Sequence, residues 1–278
     1  MKDKVLSSIL YWIQCNMVTG KNIDDLVTMT GYSRRTLELW FRERYGITPG
    51  DYLHRMRMSR ASVLLRLTAM SVTEIAELFH YSSTQNFSRA FQRFSGTSPT
   101  AYRNNTEWDC SPLQVSLLQE GLLSSDVSEV YFPDRYLLGE TFHCSDELFN
   151  NGSEKITRLI RQEVERKSTT SHSGVWVAAD IIKRDTISTD TQRRLEVCIT
   201  SGGLTAGADH RTLLLPEGRY LHYFYSGSWQ NYGFISKMLY TRFMATGKYR
   251  RRPGYDCACF HNETGINDVA CDIYIPIS

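Results

Sequence analysis

The chain has 278 residues, of which 41% are hydrophobic and 22% are charged, and its formal net charge is +2. This composition excludes an intrinsically disordered chain, and no stretch reaches the roughly 18 consecutive apolar residues that a membrane helix needs. The N-terminal residues lack the uninterrupted apolar centre of a signal peptide, so we expect a globular, cytoplasmic protein.

The charge is divided unevenly along the chain. Residues 1–106 contain 14 Lys and Arg against 8 Asp and Glu, whereas residues 107–278 contain 18 against 22. An excess of positive charge favours contact with a polyanion. This division therefore indicates that the first part, rather than the second, meets nucleic acid.

An internal repeat with an offset of about 50 residues organises the first part. Tyr45–Tyr52 and Ser95–Tyr102 share Gly, Pro and Tyr at the same spacing, and Gly31-Tyr32-Ser33 corresponds to His80-Tyr81-Ser82 at an offset of 49. Each copy combines a short amphipathic helix, a turn and a second amphipathic helix. We therefore predict two tandem helix-turn-helix units.

The predicted elements of this part follow in chain order. Residues 1–17 form an opening helix, and the first copy then has a short helix that ends at Gly31 and a second helix that Ser33 caps. Residues 52–67 form a long connecting helix. In the second copy His80 replaces the turn glycine, so we expect a strained or reshaped turn there.

A helix-turn-helix places its second helix in the major groove, where polar side chains reach base edges. Two units in one chain can read two successive groove segments about 34 Å apart without dimerising. The arginines of the connecting helix fit phosphate contacts or structural charges. The predicted phosphate-contacting residues are Arg34, Arg42, Arg55, Arg57, Arg60 and Arg93.

The pattern changes after residue 104, where turn residues are frequent. We place a linker at 107–125 and a second domain at 126–278, in which alternating segments predict strands and two longer stretches predict helices. The domain is expected to be α+β with an antiparallel sheet. The clearest strands are 175–179, 195–199, 219–225 and 271–277, and the helices are 148–167 and 229–244.

The seven cysteines form no C-x-x-C pair and suggest no disulfide framework, so we expect reduced thiols and no metal site. Cys257, Cys259 and Cys271 could form a thiol cluster that senses metal or oxidant, but buried structural cysteines are the favoured interpretation. The chain also lacks phosphate-loop, nucleophile-elbow and metalloprotease motifs, so we predict no enzyme and no cofactor. The charged turn at 250–252 is expected to be a solvated loop or an added phosphate contact.

Several motifs together resemble the AraC/XylS family of DNA-binding domains. The resemblance covers residues 3–106 and implies an all-α double helix-turn-helix domain of a transcription activator that bends DNA and touches RNA polymerase. It rests on Gly31-Tyr32-Ser33, Phe41, Tyr45-Gly46, Pro49, Tyr52, Arg57, the run Ala61–Arg66, Ile75-Ala76, Phe87-Ser88-Arg89-Ala90-Phe91, Gly96, Pro99 and Tyr102-Arg103. A DNA-binding regulator of this kind is expected to be associated with the nucleoid.

The resemblance also implies which residues contact bases. Glu38 and Leu39 stand where the branch that includes MarA, SoxS and Rob commonly has Gln and Arg. We therefore expect the DNA sequence read by the first unit to differ from the sequence that this branch recognises. Glutamate can still accept a hydrogen bond from cytosine N4. Carried over by position, the base-contacting residues are Arg35, Glu38, Leu39, Thr84, Gln85, Asn86, Ser88 and Arg89.

Residues 126–278 resemble the GyrI-like effector-binding domain that follows the DNA-binding unit in Rob, through 216–220, 252–256 and 271–277. The resemblance implies that aromatic walls around a carboxylate hold a small cationic or amphipathic molecule. Ala258 replaces a glutamate found in several such domains, which weakens that inference. The predicted effector-binding residues are Trp176, Tyr223, Tyr225, Trp229, Tyr255 and Asp272, with Tyr274 as a further wall.

These observations predict a transcription activator that reads two groove segments as a monomer and whose second domain senses a small molecule or another protein. The alternative is a constitutive regulator whose second domain is structural or binds a protein. A remote alternative is a GyrI-like hydrolase, for which Asp272 has no evident partner in the sequence.

Overall fold

A computed structural model describes residues 1–119, 127–147, 154–168, 174–181, 192–200, 204–205, 212–261 and 268–278. The chain divides into two compact units, and the segment predicted as a linker contributes residues to both. The first unit comprises Met1–Arg66, Met70–Asn104 and Pro112–Gly121, and the second comprises Leu67–Ala69, Asn105–Ser111 and Leu122–Ser278. No helix among the described residues is both long and apolar enough to cross a membrane.

The first unit is helical, as predicted. Its two longer repeat helices, α3 and α6, each have 12 residues and are offset by 50 positions. The predicted opening and connecting helices are α1 and α4. The helices are α1 (Lys2–Cys15), α2 (Ile23–Thr30), α3 (Arg34–Tyr45), α4 (Pro49–Leu67), α5 (Val72–Leu78), α6 (Thr84–Ser95) and α7 (Pro99–Asn104).

Matching caps fix where α3 and α6 begin and end. The Ser33 hydroxyl accepts a hydrogen bond from the Thr36 amide at 3.2 Å, and Ser83 does the same for Asn86 at 3.1 Å. Each helix ends at a glycine in the left-handed region, with φ of 73° and 78°. Side chains with a Cβ rarely adopt that conformation, so the repeated glycines give the two helices the same length.

The core repeats with the helices. Phe41 packs on Tyr52 with ring centroids 5.8 Å apart, and Phe91 packs on Tyr102 at 5.4 Å. All four side chains are buried. Leu117 also packs against this core, although it lies 65 residues after Tyr52 in the sequence. Its backbone amide donates a hydrogen bond to the Tyr52 hydroxyl at 3.0 Å.

The turn after α5 is strained, which is one of the two outcomes expected from its missing glycine. His80 has a φ of 58° and is the one non-glycine residue with positive φ among the residues described. Its amide donates to the Glu77 carbonyl at 2.9 Å, and the Tyr81 amide donates to the Ala76 carbonyl at 2.9 Å. This closed helix end normally favours glycine because a Cβ crowds the backbone there.

The second unit contains an antiparallel seven-stranded sheet, a small three-stranded sheet and two helices, which confirms the predicted α+β class. The strand orders are β1-β8-β10-β9-β4-β5-β3 and β6-β2-β7. The elements are β1 (Ser128–Phe132), β2 (Arg135–Leu138), β3 (Glu140–Glu147), α8 (Glu154–Ser168), β4 (Val175–Ile181), β5 (Gln192–Thr200), β6 (Leu204–Thr205), β7 (Thr212–Leu215), β8 (Gly218–Ser228), α9 (Trp229–Arg242), β9 (Asp256–Phe260) and β10 (Asp268–Pro276). Residues 148–153 of the predicted helix 148–167 lie outside the described residues.

The two faces of the large sheet have different surroundings. On one face α9 covers alternate residues of β8, so that Tyr223 lies 6.3 Å from Phe243 and Tyr225 lies 6.2 Å from Tyr232, ring centroid to centroid. On the other face the small sheet packs Leu137 and other residues on part of the surface. The remainder of that second face is partly exposed, and we call it the open face.

The charged turn at 250–252 is not a solvated loop, so that expectation is wrong for two of its three residues. The Arg251 side chain is 12% exposed and donates to the Tyr240 hydroxyl at 2.8 Å and to Asp256 at 3.1 Å. Arg252 donates to the Pro216 carbonyl at 3.2 Å, whereas Arg250 is exposed. Because these partners lie within the second unit, neither Arg251 nor Arg252 is free for phosphate.

Replacing Arg251 with Ala should destabilise the second unit by about 3–5 kcal/mol, because removing one partner of a buried ion pair leaves the other charge without compensation. Urea unfolding of the full chain, followed by tryptophan fluorescence, measures this loss. Arg250→Ala is the matched control and should change stability by less than about 0.5 kcal/mol. Equal effects of the two substitutions would contradict the role given to the Arg251 cluster.

Candidate functional site

The exposed sides of α3 and α6 form a matched pair of surfaces. Leu37 and Phe41 are buried on the inner side of α3, as are their counterparts on α6, and this leaves the opposite side of each helix open. Positions three and four apart share one side of a helix, so each helix presents a single continuous stripe. The stripes consist of Arg35, Glu38, Leu39 and Arg42 on α3, and Gln85, Ser88, Arg89 and Gln92 on α6.

The predicted base-contacting residues all lie on these surfaces or at the helix starts. Five of them, Arg35, Leu39, Gln85, Asn86 and Arg89, are exposed, and Glu38, Thr84 and Ser88 are half-buried. Leu39 is 53% exposed, which is high for an aliphatic side chain. The stripe on α6 is thus polar throughout, whereas the stripe on α3 has an apolar centre.

Some of these side chains are already held by neighbours. Glu38 accepts a hydrogen bond from Arg34 at 3.0 Å, and Asn86 donates to the Ser82 hydroxyl at 2.9 Å. The Thr84 hydroxyl donates to Thr73 at 3.3 Å. Such contacts reduce the number of rotamers that must be fixed when the surface meets a ligand.

Two of the six predicted phosphate-contacting arginines have internal roles instead. Arg57 donates from Nε to the Met17 carbonyl at 2.8 Å and from Nη2 to the Asn16 and Lys21 carbonyls at 3.3 and 2.7 Å. Burial lowers the pKa of Arg60 to about 10. Arg57 is therefore engaged by backbone oxygens and Arg60 is largely withdrawn from solvent, which fits the structural alternative for both.

The other four predicted phosphate contacts are accessible. Arg42, Arg55 and Arg93 are exposed. Arg34 is also exposed, but it is shared between Glu38 at 3.0 Å and Asp24 at 3.6 Å. A surface ion pair of this kind is weak, so a phosphate can compete with the carboxylates for Arg34.

On the open face of the second unit, three stacked rings form a surface that we call the aromatic platform. The Trp176 and Tyr274 rings lie 5.7 Å apart at 14°, and the Tyr274 and His222 rings lie 5.0 Å apart at 24°. All three side chains are partly exposed. Flat rings held in this way offer a stacking surface with negative π-faces.

A carboxylate lies beside the platform. His222 Nε2 donates to Asp272 Oδ1 at 2.6 Å, and His261 Nε2 donates to Asp272 Oδ2 at 2.8 Å. The Ser128 hydroxyl lies 3.0 Å from the other ring nitrogen of His222. No partner of Asp272 was evident from the sequence, and the structure places two histidines within hydrogen-bond distance of it.

The predicted effector-binding residues do not form one site. Trp176 and Asp272 lie on the open face. Tyr255 packs against the same buried cluster as Trp176, and its hydroxyl donates to Glu196 at 3.0 Å. The other three are buried against α9 or at its first turn, because neighbouring residues of a strand point to opposite faces. These three, which the structure removes from the site, are Tyr223, Tyr225 and Trp229.

Sequence reasoning missed His222 and His261. Side chains alternate along β8, so His222 and Tyr223 point to opposite faces of the sheet, and this much could have been predicted from the sequence. Its position beside Tyr274, however, depends on the register of β8 with β10, which the sequence does not state. His261 follows the end of β9 and had no pattern to identify it.

The three cysteines considered as a sensor are separated. Cys257 and Cys259 lie opposite Tyr274 and Asp272 in the register, whereas Cys271 lies opposite Phe260 and points to the helix-covered face. Burial raises the pKa of Cys259 to about 11 and raises those of Cys257 and Cys271 further. Among the described residues, no group of three or more His, Cys, Asp or Glu is arranged to hold a metal ion.

Comparison with known proteins gives consistent matches to bacterial regulators. A family profile described as "Helix-turn-helix domain" matches residues 26–105. YkgA of Escherichia coli strain K12, named as an HTH-type transcriptional regulator, is 33% identical over 166 residues, covering 60% of this chain and 70% of the relative.

Two further relatives extend the match. The F1 operon positive regulatory protein of Yersinia pestis is 26% identical over 281 residues, covering 100% of this chain and 89% of that protein. The right origin-binding protein of Escherichia coli strain K12 is 28% identical over 145 residues, covering 51% of this chain and 50% of that protein. The similarity to regulators is thus not confined to residues 26–105.

Arg55 and Arg57 are two residues apart on one helix and should behave differently when replaced by Ala. Arg57→Ala should lower stability by about 2–3 kcal/mol, because three backbone carbonyls lose a charged donor. Arg55→Ala should leave stability unchanged but reduce the log–log salt dependence of DNA binding by about 0.9 if it neutralises one phosphate.

Urea unfolding and fluorescence-anisotropy titration of duplex DNA at several salt concentrations make both measurements. A reduced salt slope for a still-folded Arg57→Ala variant would return Arg57 to the phosphate-contacting set.

Proposed function

Because this chain belongs to the AraC/XylS family of DNA-binding transcription regulators, we propose that it activates transcription by reading one asymmetric DNA site as a monomer. The main support is that two helices of equal length, α3 and α6, with matching caps and open outer stripes, lie in one compact unit. Two recognition helices in one chain can enter successive major grooves of one duplex. A second copy is not needed to read two half-sites.

The different chemistry of the two stripes supports asymmetry in the site. Arg89 on α6 can bind guanine bidentately and Gln85 can bind adenine. On α3 the corresponding position to Arg89 is Leu39, which suits contact with a thymine methyl group, and Glu38 suits cytosine N4. The two half-sites should therefore have different sequences, and the α6 half should supply more of the hydrogen-bonded discrimination.

The activating role is proposed from similarity over the whole chain. The relative that aligns with all of this chain is named as a positive regulatory protein. By the family resemblance, activation includes bending of the DNA and contact with RNA polymerase. We infer further that the chain acts as a regulator and not as an enzyme, since the proteins that it resembles are named as regulators.

Arg89→Ala should weaken binding to the selected site by about 1–3 kcal/mol, because one bidentate contact with a base is lost. The site is first obtained by selection from a random oligonucleotide pool with the full chain. Dissociation constants are then measured on this site and on a scrambled duplex.

Arg44→Ala is the control, because Arg44 is an exposed arginine of α3 outside the stripe. It should change both dissociation constants equally and only slightly. If Arg89→Ala weakens binding to the scrambled duplex as much as binding to the selected site, then Arg89 contacts phosphate and its proposed base contact is wrong.

We also propose that the open face of the second unit binds a small effector, with the aromatic platform as the stacking surface and Asp272 as the polar anchor. Support comes from the partial exposure of the platform beside a carboxylate, which suits a flat cation. The alternative is a constitutive regulator whose second unit stabilises the protein or binds a partner protein. Binding of a ligand distinguishes the two.

Benzyltrimethylammonium, at tenfold excess over its dissociation constant, should raise the melting temperature of the full chain by about 2–4 °C. Benzoate, an anion with a similar ring, should not. Asp272→Asn should abolish the shift, whereas Asp268→Asn on the same strand should retain it. If neither benzyltrimethylammonium nor any of a series of larger aromatic cations raises the melting temperature, the constitutive alternative is favoured.

A further inference from the structure

A short loop leads into the first copy of the repeat. It spans residues 16–21, between α1 and α2, and begins with Asn16 and Met17, which are both buried. Several of its backbone oxygens accept hydrogen bonds from side chains elsewhere in the unit. Two elements provide these donors.

The first donor is Arg57 in the middle of the connecting helix α4. It binds the carbonyls of Asn16, Met17 and Lys21, at 3.3, 2.8 and 2.7 Å. These three bonds fix the loop on the side of α4. They hold the two ends of the loop, whereas the carbonyl of Val18, nearer its centre, is bound by a different side chain.

The second donor is His80, from the turn between α5 and α6. Its Nε2 donates to the Val18 carbonyl at 3.0 Å, across 62 residues of sequence. Its ring also packs on Gly20, where an added Cβ would come within 3.2 Å of two ring carbons. The turn of the second copy is therefore joined directly to the loop that starts the first copy.

The conformation of His80 strengthens this interpretation. The equivalent position in the first copy is Gly31, which has the same left-handed backbone and nothing within 4 Å of where a Cβ would lie. His80 therefore adopts a conformation that disfavours its side chain in order to occupy a turn that glycine would fill without strain. A strained residue of this kind persists where its surroundings hold it, and here the ring has a specific partner.

We infer that His80 is a positioning residue, which holds the two recognition helices at one separation and so determines the spacing between the two half-sites. Without it the two copies are connected through α4 and the core. With it, the loop at residues 16–21 is held from both sides, and the angle between the copies is restricted. The inference rests on the proposed reading of two half-sites by one chain.

The test compares spacing preference, which a merely stabilising residue would not change. Inserting one base pair between the half-sites moves one of them by about 3.4 Å and rotates it by about 34°. The natural chain should lose affinity by about tenfold on the lengthened site. His80→Gly keeps the left-handed turn and removes only the ring, and its loss should fall to about threefold or less.

A second perturbation reaches the same contact from the other side. Gly20→Ala places a methyl group against the His80 ring and should also reduce the spacing preference. Gly96→Ala is its matched control, because Gly96 has a similar φ of +78° and open space around the added Cβ. It introduces the same backbone strain and should leave the spacing preference unchanged.

The outcomes separate this inference from the proposed function. If the natural chain selects no specific site, the proposed function fails. If it binds a specific site but tolerates the inserted base pair, or if His80→Gly keeps the natural preference, the positioning role is wrong. An equal loss of preference in Gly96→Ala would also overturn it, because general loosening would then explain the effect.

Discussion

The arrangement of the first unit depends on the satisfaction of a few backbone carbonyls between α1 and α2. The loop at residues 16–21 begins with the buried Asn16 and Met17 and becomes exposed towards Lys21. Backbone oxygens that water reaches poorly, such as those at its buried start, need donors from the protein. Arg57 supplies three bonds from a single planar group, which few other side chains can do. Because Arg57 lies on the connecting helix, this requirement also fixes the first copy against the element that leads to the second.

The sequence predicted the helical unit well because its signals are local. Serine caps, left-handed glycines and apolar residues at helical spacing all act within a few residues, and their repetition at an offset of 50 makes each copy a check on the other. The matched bounds of α3 and α6 follow directly from these signals. The strained turn at His80 could likewise be predicted, since this required only the observation that a glycine was missing.

The sites depend on partners that are distant in sequence, and there the sequence was a weaker guide. An arginine on a helix has the same local pattern whether it faces phosphate or backbone, and Arg57 finds its carbonyls 36 to 41 residues away. In the second unit, the alternation of side chains along a strand predicts that neighbouring residues point to opposite faces of the sheet. It does not predict which of the two faces is left uncovered. Tyr223 and Tyr225 lie on the covered face because α9 packs there, and Asp272 meets its two histidines only through strand register and a turn.

The two copies of the repeat differ most where their tasks differ. Their cores and caps are nearly interchangeable, which is expected if both must present a helix of the same length in the same way. The stripes diverge, with Leu39 in one copy where the other has Arg89, and so do the turns, with Gly31 in one where the other has His80. The first difference changes which bases can be recognised. The second difference changes how the copies are joined. His80 in the turn of the second copy contacts the loop that leads into the first copy, whereas Gly31 has no side chain to make such a contact. In the proposed reading of two half-sites, the tandem repeat becomes asymmetric through substitutions at two kinds of position, one on the outer stripe of the second helix and one in the turn before that helix.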